Sequence, residues 1–401
     1  MNFLFILADK HPLFRVDLTV LFAKYIKRKG YTMAWIMPSK LPAFFDKTEW
    51  TGGTAYLAAH IKEKTFFRKF LNFFFVSINC LRAIPLFLKN TYDFVQIKDQ
   101  YLPAVVFLIL RKFKKTPVFF WISYPFPEAF LESYKMKLCK VPVINLVRGK
   151  LLEFLTYKYI CPSADHIFVQ SLQMQKDMVG KGVSPTKMTV VPMGIDPEMV
   201  STLQAIPPLP HGDQSLLFTG MFYKIRRIEF LFDVFELVRE SVPHATLYMI
   251  GEAESSEYKQ ELLAQVQSKG LQNSIIFTGF LSHEVMYRHI KSASVCLSVY
   301  YPTPVLDSTS PTKLIEYMAM GKPSVVTEHP EQRLLIEESR GGICIPYDAR
   351  QMADAVVYLL QNKDVAQRMG ENAQIYIAQT RSYDIISDML DKKYKSLVSN
   401  I

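Results

Sequence analysis

Residues 310–327 read Ser310-Pro311-Thr312-Lys313-Leu314-Ile315-Glu316-Tyr317-Met318-Ala319-Met320-Gly321-Lys322-Pro323-Ser324-Val325-Val326-Thr327, a helix handed directly to a strand. Ser310 suits an N-cap, and Pro311 suits the first helical position, where its missing N–H does no harm. Gly321 falls where a helix closes in the left-handed conformation, with Pro323 just past it. Ser324–Thr327 then reads as a strand. Glu316 is the odd member of a helix otherwise coloured by Leu314, Ile315, Met318, Ala319 and Met320.

The same alternation extends in both directions, which implies parallel sheets covered by helices. Towards the N-terminus, strands are predicted at Phe3–Leu7, Thr32–Met37, Phe94–Ile97, Val118–Trp121, His166–Gln170 and Thr189–Val191, with a helix over Val16–Lys29 that ends at Gly30. A proline-rich stretch, Pro207–Asp213, reads as a connector. After it come strands at Ser215–Phe218, Ala245–Ile250, Ile275–Phe277 and Ser294–Ser298, helices at Ile228–Arg239, Glu257–Ser268, Val285–Lys291 and Ala349–Gln361, and a helical region to about residue 397. The expected class is α/β, as two doubly wound domains facing a central cleft.

The chain has 401 residues, is 49% hydrophobic and 21% charged, and is long enough for two cores. Its net charge of +10 suits an anionic partner such as a nucleotide diphosphate, nucleic acid or a membrane surface. Five scattered cysteines (Cys80, Cys139, Cys161, Cys296, Cys344) form no CxxC pair, so reduced thiols are expected, with no disulfide frame or zinc site. The start, MNFLFILADKHPL, lacks a basic n-region and reads as a strand rather than a signal peptide. Arg82 interrupts the apolar tract Phe70–Leu88, and Tyr101–Leu110 is too short to span, so no transmembrane helix is expected.

In open α/β sheets ligands bind beyond the C-terminal strand ends. Two loops are expected there. Phe218–Ile228 places Lys224, Arg226 and Arg227 where a helix begins, an arrangement that suits phosphate. It reads about equally well as a solvated basic turn. The helix start at Thr312, Lys313 and Leu314 offers N–H groups and one more cation. A carboxylate at the depth of Glu316 could hold the vicinal hydroxyls of a ribose, or could merely favour the helix dipole. No Asp-x-Asp occurs, so the common carboxylate pair for a metal–diphosphate is missing. The charge of a diphosphate would then fall to Arg226, Arg227, Lys313 and helix dipoles, with no metal and no cofactor expected.

The order TGMFYKIRRIEFL, LYMIGEA, IIFTGFL, SPTKLIEYMAMGKPSVV and GGICIPYDARQMADAVVYLL resembles the family 4 retaining glycosyltransferases of the GT-B fold. VVPMGIDPEMV resembles that family's domain junction, and the first 33 residues resemble its opening strand and helix more loosely. The resemblance implies Rossmann-like domains at 1–195, for the acceptor, and 196–380, for the nucleotide sugar, with a C-terminal helix at 381–401 packing on the first. It places Arg227 and its neighbour Arg226 on the donor diphosphate and Phe280 and Leu281 by the base. Gly251, Ser310, Thr312 and Leu314 stand at the donor, and Glu316 on the ribose. Arg227, Lys313 and Asp307 are the expected catalytic residues.

Departures from the family pattern are plain. Ser308 stands where the family has a first glutamate, with Asp307 adjacent to take the sugar hydroxyls. Phe14-Arg15 replaces paired glycines, leaving Arg15 as a source of charge. Met221 replaces a basic residue, and the histidine often found after the fourth strand of the first domain is not evident in WISYPFPE, so the roles of Ser123, Tyr124 and Glu128 stay open. His11, Arg15 and Glu128 are the expected acceptor-side residues, although a loop histidine is more often ordinary surface. Sugar choice would depend on side chains around Asp307 and His329.

Phe66–Phe75 interleaves aromatics with cations, and Arg111–Lys115 is a second basic cluster. Both suit docking on an anionic bilayer, or a core helix with a solvated edge. The expected protein is a cytoplasmic transferase at the inner face of the membrane, moving a sugar from a nucleotide-diphosphate donor to a lipid-linked or oligosaccharide acceptor. The rivals are a catalytically silent glycosyltransferase-like subunit and a nucleotide-sugar epimerase. A nucleic-acid partner finds no motif, and a dinucleotide oxidoreductase finds no GxGxxG.

Overall fold

The computed structural model describes residues 1–40, 45–61, 66–138 and 141–399. Cys139 lies outside them, as do the side chains of Phe66, Phe67, Lys69, Phe70, Phe73 and Phe74 in the aromatic–basic stretch. Contacts divide the chain into two units: Met1–Lys135, Val141–Pro192 and Tyr383–Ile401 form the first, and Met193–Ser382 the body of the second.

Among the described residues of the first unit, eight strands form one sheet: β1 (Asn2–Leu7), β2 (Thr32–Met37), β3 (Asp46–Trp50), β4 (Gly53–Leu57), β5 (Phe94–Lys98), β6 (Val118–Ile122), β7 (His166–Val169) and β8 (Met188–Val190). Their order is β3-β4-β2-β1-β5-β6-β7-β8, parallel except for the antiparallel edge pair β3–β4. The central strands are buried on both faces, which explains the unbroken apolar runs of β1 and β6; β5 carries Gln96 and Lys98 in the same burial. Helix Asp17–Ile26 and the C-terminal helix Tyr383–Ser399 cover one face, and helices Phe66–Lys89 and Tyr101–Lys114 the other. Tyr394 stacks on Phe94 at 4.7 Å and donates to Gln96, so the end of the chain completes this core. The β3–β4 hairpin is absent from the sequence expectation. Its turn needs Gly53, at φ +151°, where a Cβ would lie 2.0 Å from the Met33 carbonyl oxygen.

The second unit holds β9 (Ser215–Thr219), β10 (Thr246–Ile250), β11 (Ile275–Gly279), β12 (Val295–Ser298), β13 (Ser324–Thr327) and β14 (Gly342–Ile345), ordered β11-β10-β9-β12-β13-β14. All are parallel, and the order reverses between β9 and β12. Pro207–Asp213 is not a free connector. Leu209 N–H donates to Ser292 Oγ at 2.6 Å, and the His211 ring stacks on Tyr248 at 3.9 Å, so this segment is fastened to the second unit. Proline and charge report a lack of regular structure, and that does not require freedom.

Candidate functional site

The site is built at the β9–β12 reversal, where the loops of a doubly wound sheet part and leave a crevice. β9 ends at Phe218-Thr219 and turns through Gly220. Gly220 sits at φ +133°, a conformation side chains rarely adopt, and a Cβ there would stand in ordinary contact with Arg226 Nη1 at 3.4 Å and Lys313 Cε at 3.7 Å, which places both cations at this turn. The next strand end is packed as closely: a Cβ on Gly251 would lie 1.9 Å from the Gly220 carbonyl oxygen. Gly251 is therefore fixed by backbone crossing.

From the other side of the crevice comes helix Thr312–Ala319, buried from Lys313 to Ala319. Two bonds hold it to β9: Thr219 N–H donates to Tyr317 Oη at 2.8 Å, and the two hydroxyls meet at 2.9 Å. Gly321 closes the helix at φ +68°. The start differs from expectation. Pro311, not Ser310, is the N-cap, and no side chain caps the helix. The Ser310 hydroxyl accepts from Met193 N–H and donates to Glu331, both at 3.1 Å, so it is spent on internal contacts. Of the three N–H groups expected to be open, those of Thr312 and Leu314 donate to Ser310 and Pro311 carbonyls.

Lys313 is 6% exposed, and its ammonium has no protein hydrogen-bond partner. It lies over the rings of Phe218 and Tyr300, at 4.6 and 4.5 Å. Burial, and then the Arg226 charge, push its pKa well below the usual lysine value, with Glu316 opposing. Arg226 shares the Tyr300 ring at 5.9 Å, whereas Arg227 turns to Tyr301, 4.0 Å from its centroid. The two arginines diverge because Arg227 adopts a left-handed φ of +46° between the short turn Lys224–Arg226 and helix Phe230–Ser241. Sequence reasoning named the cations but missed Tyr300, Tyr301 and Phe218, the walls that hold them. Aromatics at strand ends carry no motif.

Glu316 lies on the same helix, buried, with its pKa raised to about 7, first by desolvation; the Tyr287 hydroxyl and Lys313 counteract this. Phe280 is 66% exposed and Leu281 half-buried on the loop after β11. Asp307 ends the turn Pro304–Asp307, and Ser308 is buried. His329 is internal: Nδ1 accepts from Gln332 N–H at 3.3 Å and Nε2 meets Leu306 O at 2.9 Å, while burial lowers its pKa to about 4. It holds the Pro304–Asp307 turn as a neutral ring.

The first unit places charges at its own strand-order reversal, between β1 and β5, and closes them on one another. Arg15 is not open: it grips Asp17 with two bonds, of 3.0 and 2.9 Å, and lies 3.8 Å from Asp9. Although burial disfavours the charge on Asp17, Arg15 and Lys98 keep its pKa below the usual carboxylate value. Lys98, fully buried, donates to Asp9 at 2.7 Å and to Asp99 at 3.3 Å, and Asp99 accepts from the Ser123 N–H and hydroxyl. Glu128 accepts from Tyr157 at 2.7 Å and from Lys181 at 2.6 Å. His11 is pinned through its backbone to Pro38 and Lys40, with its ring edge-on to Trp50. In the second basic cluster, Arg111 pairs with Asp165 and Lys114 donates to the Phe87 and Leu88 carbonyls.

The two doubly wound sheets define the fold as GT-B. Solved structures agree over essentially its whole length: sucrose-phosphate synthase from Thermosynechococcus elongatus, with a TM-score of 0.75 at 16% identity and 100% of both chains covered, and Anabaena HepE in complex with UDP-glucose, with a TM-score of 0.68 at 16% identity, 99% of this chain and 100% of that one. Two family models lie in succession on the sequence, Glycosyltransferase Family 4 on residues 18–199 and Glycosyl transferases group 1 on residues 213–362. The chain thus carries a glycosyltransferase family 4 domain followed by a glycosyl transferases group 1 domain. Among curated proteins it is 24% identical over 191 residues to the O-antigen chain mannosyltransferase C of Escherichia coli and 28% identical over 140 residues to the alpha-D-kanosaminyltransferase of Streptomyces kanamyceticus. The match spans about half the length of the first relative (48%) and about a third of the second (35%), with 47% and 35% of this chain covered. Among the described residues, no helix is long and apolar enough to cross a membrane.

Proposed function

We propose that the chain transfers a sugar from a nucleotide-diphosphate donor to a hydroxyl of a lipid-linked or growing glycan, with retention of anomeric configuration, in cell-surface polysaccharide or glycolipid synthesis. The observation that carries this reading is the Lys313 ammonium, buried beside Arg226 and over two aromatic rings without a protein hydrogen-bond acceptor. A buried cation without a counterion is unfavourable unless a ligand supplies one. A diphosphate supplies it, and Glu316 on the same helix then meets the adjoining ribose. Phe280 offers the base an exposed face.

In this reading the acceptor hydroxyl attacks from the side that the leaving phosphate departs, and a donor phosphate oxygen takes the proton. Arg226, Arg227 and Lys313 stabilise the charge growing on the diphosphate, without a metal. Asp307 holds the transferred sugar. The O-antigen relative supports a glycan acceptor, and the net charge of +10 supports work at the inner, anionic face of a membrane. Purified protein incubated with a panel of nucleotide sugars and membrane lipid extract should release nucleoside diphosphate, equally with and without a chelator. The anomeric signal of the product should match that of the donor. No release and no nucleotide binding across the panel would overturn the reading.

A further inference from the structure

Helix Pro142–Phe154 packs through a mixed side, with Gly149 buried and Pro142, Asn145, Leu146 and Leu152 half-buried, and leaves an apolar side exposed. Gly149 lies so close to helix Phe126–Lys135 that a Cβ would come within 2.8 Å of Leu131. Asn145 donates to Ser133 at 3.1 Å, and Arg148 stacks on Phe130 at 4.2 Å. Gly149 is the only buried residue of the helix. On the 3.6-residue period, Val143, Ile144, Val147, Leu151 and Phe154 fall together on the opposite side. Each of these five is between 55% and 64% exposed. Isolated exposed apolar side chains need no explanation, but a continuous helical stripe does.

Charge says what covers it. Residues 135–154 contain Lys135, Lys137, Lys140, Arg148 and Lys150 against Glu153 alone. The side chains of Lys135 and Lys150 are 72% and 65% exposed. Lys150 borders the apolar stripe on the helix surface, where a long side chain can keep its ammonium at the headgroups while its stem lies along the apolar face. Five side chains on one helix fall short of the roughly 800 Å² per partner that a stable protein interface buries. A helix lying in the plane of a bilayer needs no complementary partner surface, only apolar side chains below and cations beside them.

We propose that the Val143–Phe154 face docks the protein on an anionic lipid bilayer. This gives a surface to the membrane contact suggested above and rests on that part of the functional reading, while being independent of the donor site.

The test is flotation of the full chain with vesicles of equal parts phosphatidylglycerol and phosphatidylcholine, and with phosphatidylcholine alone. Wild type should float with the anionic vesicles and leave them in high salt. The triple variant Val147→Ser, Leu151→Ser, Phe154→Ser should bind at least about tenfold more weakly while keeping nucleotide affinity and melting temperature, because none of the three is buried. Phe154→Trp should show blue-shifted emission on anionic vesicles. Three results would overturn the proposal: unchanged flotation of the triple variant, no flotation of wild type, or a wild-type dimer that the triple variant dissolves. Failure of sugar transfer with vesicle binding intact would count against the donor-site chemistry and leave the docking face standing.

Discussion

Both units carry a buried lysine at the point where strand order reverses, and the two lysines are treated in opposite ways. Lys98, at the end of β5, is closed in by Asp9 and Asp99. Lys313, across from the end of β9, faces two aromatic rings and an arginine, and its ammonium has no protein acceptor. The same sheet topology therefore makes one charged crevice that the protein fills itself and one whose buried ammonium is left without a protein acceptor. Charge satisfied internally stabilises the unit, and charge left unmatched destabilises it until a counterion arrives.

One substitution made at both positions is the most direct way to break that comparison. Lys98→Met leaves Asp9 and Asp99 without their shared cation, and losing one partner of a buried network costs about 3–5 kcal/mol. Urea denaturation should show that fall in stability, with nucleotide affinity of the surviving folded fraction unchanged. Lys313→Met should do the reverse. The free protein should gain about 1–3 kcal/mol, because an unpaired buried charge is replaced by an apolar chain of similar length. The depressed lysine pKa fixes the sign: the penalty is absent above about pH 10.5 and grows as pH falls, so the gain should be largest at neutral and acidic pH. Turnover should meanwhile drop by about 10²–10³, the scale for removing one preorganised stabiliser of developing charge. Equal destabilisation by the two substitutions would erase the distinction.

Glu316 sharpens it further. Its carboxyl pKa is raised to about 7, so its contribution to stability is fully present below the unfolded value of 4.5 and is lost as pH rises through about 7. Glu316→Gln should therefore match wild type in melting temperature at pH 4 and exceed it at pH 8. It should also weaken nucleotide binding by about 1.5–3 kcal/mol, the range for hydrogen bonds to a charged group. Calorimetric titration of a nucleoside diphosphate reads the second effect, and thermal melts at the two pH values read the first.

How far the sequence revealed this contrast depends on range. Local signals held: Gly321 closes its helix, Thr32–Met37, Ser324–Thr327 and Ala349–Gln361 have the predicted bounds, and alternation of strand and helix gave the α/β class. Signals that depend on a distant partner did not hold. Ser310 has the right chemistry for an N-cap, but Met193 and Glu331 claim its hydroxyl from remote positions. Arg15 looked available because Asp17, two residues on, could as well have faced solvent. The β3–β4 hairpin had a readable turn in Gly52-Gly53, but Asp46–Trp50 is a polar edge strand with no apolar alternation to announce it. In the crevice of the second unit the cations were legible as residue types. Which of them converge was not, because the left-handed turn at Arg227 sends the two arginines to different rings.

Lys224 provides the finest division of the basic loop. By sequence it belongs with Arg226 and Arg227. In the fold its ammonium turns outward to Glu261, at 2.9 Å, and over the Tyr258 ring at 5.2 Å. An exposed ion pair of this kind contributes little, because water and salt screen both charges before they meet. Lys224→Ala should leave the KM for the donor within about twofold and the melting temperature nearly unchanged, whereas Arg226→Ala at the Tyr300 ring should raise KM and lower kcat together. Steady-state kinetics of the two variants side by side separate a cation that merely neighbours the crevice from one that lies at the Gly220 turn beside Lys313. If Lys224→Ala proved as damaging as Arg226→Ala, the loop would act by net charge, and the placement of each guanidinium and ammonium would be irrelevant to binding.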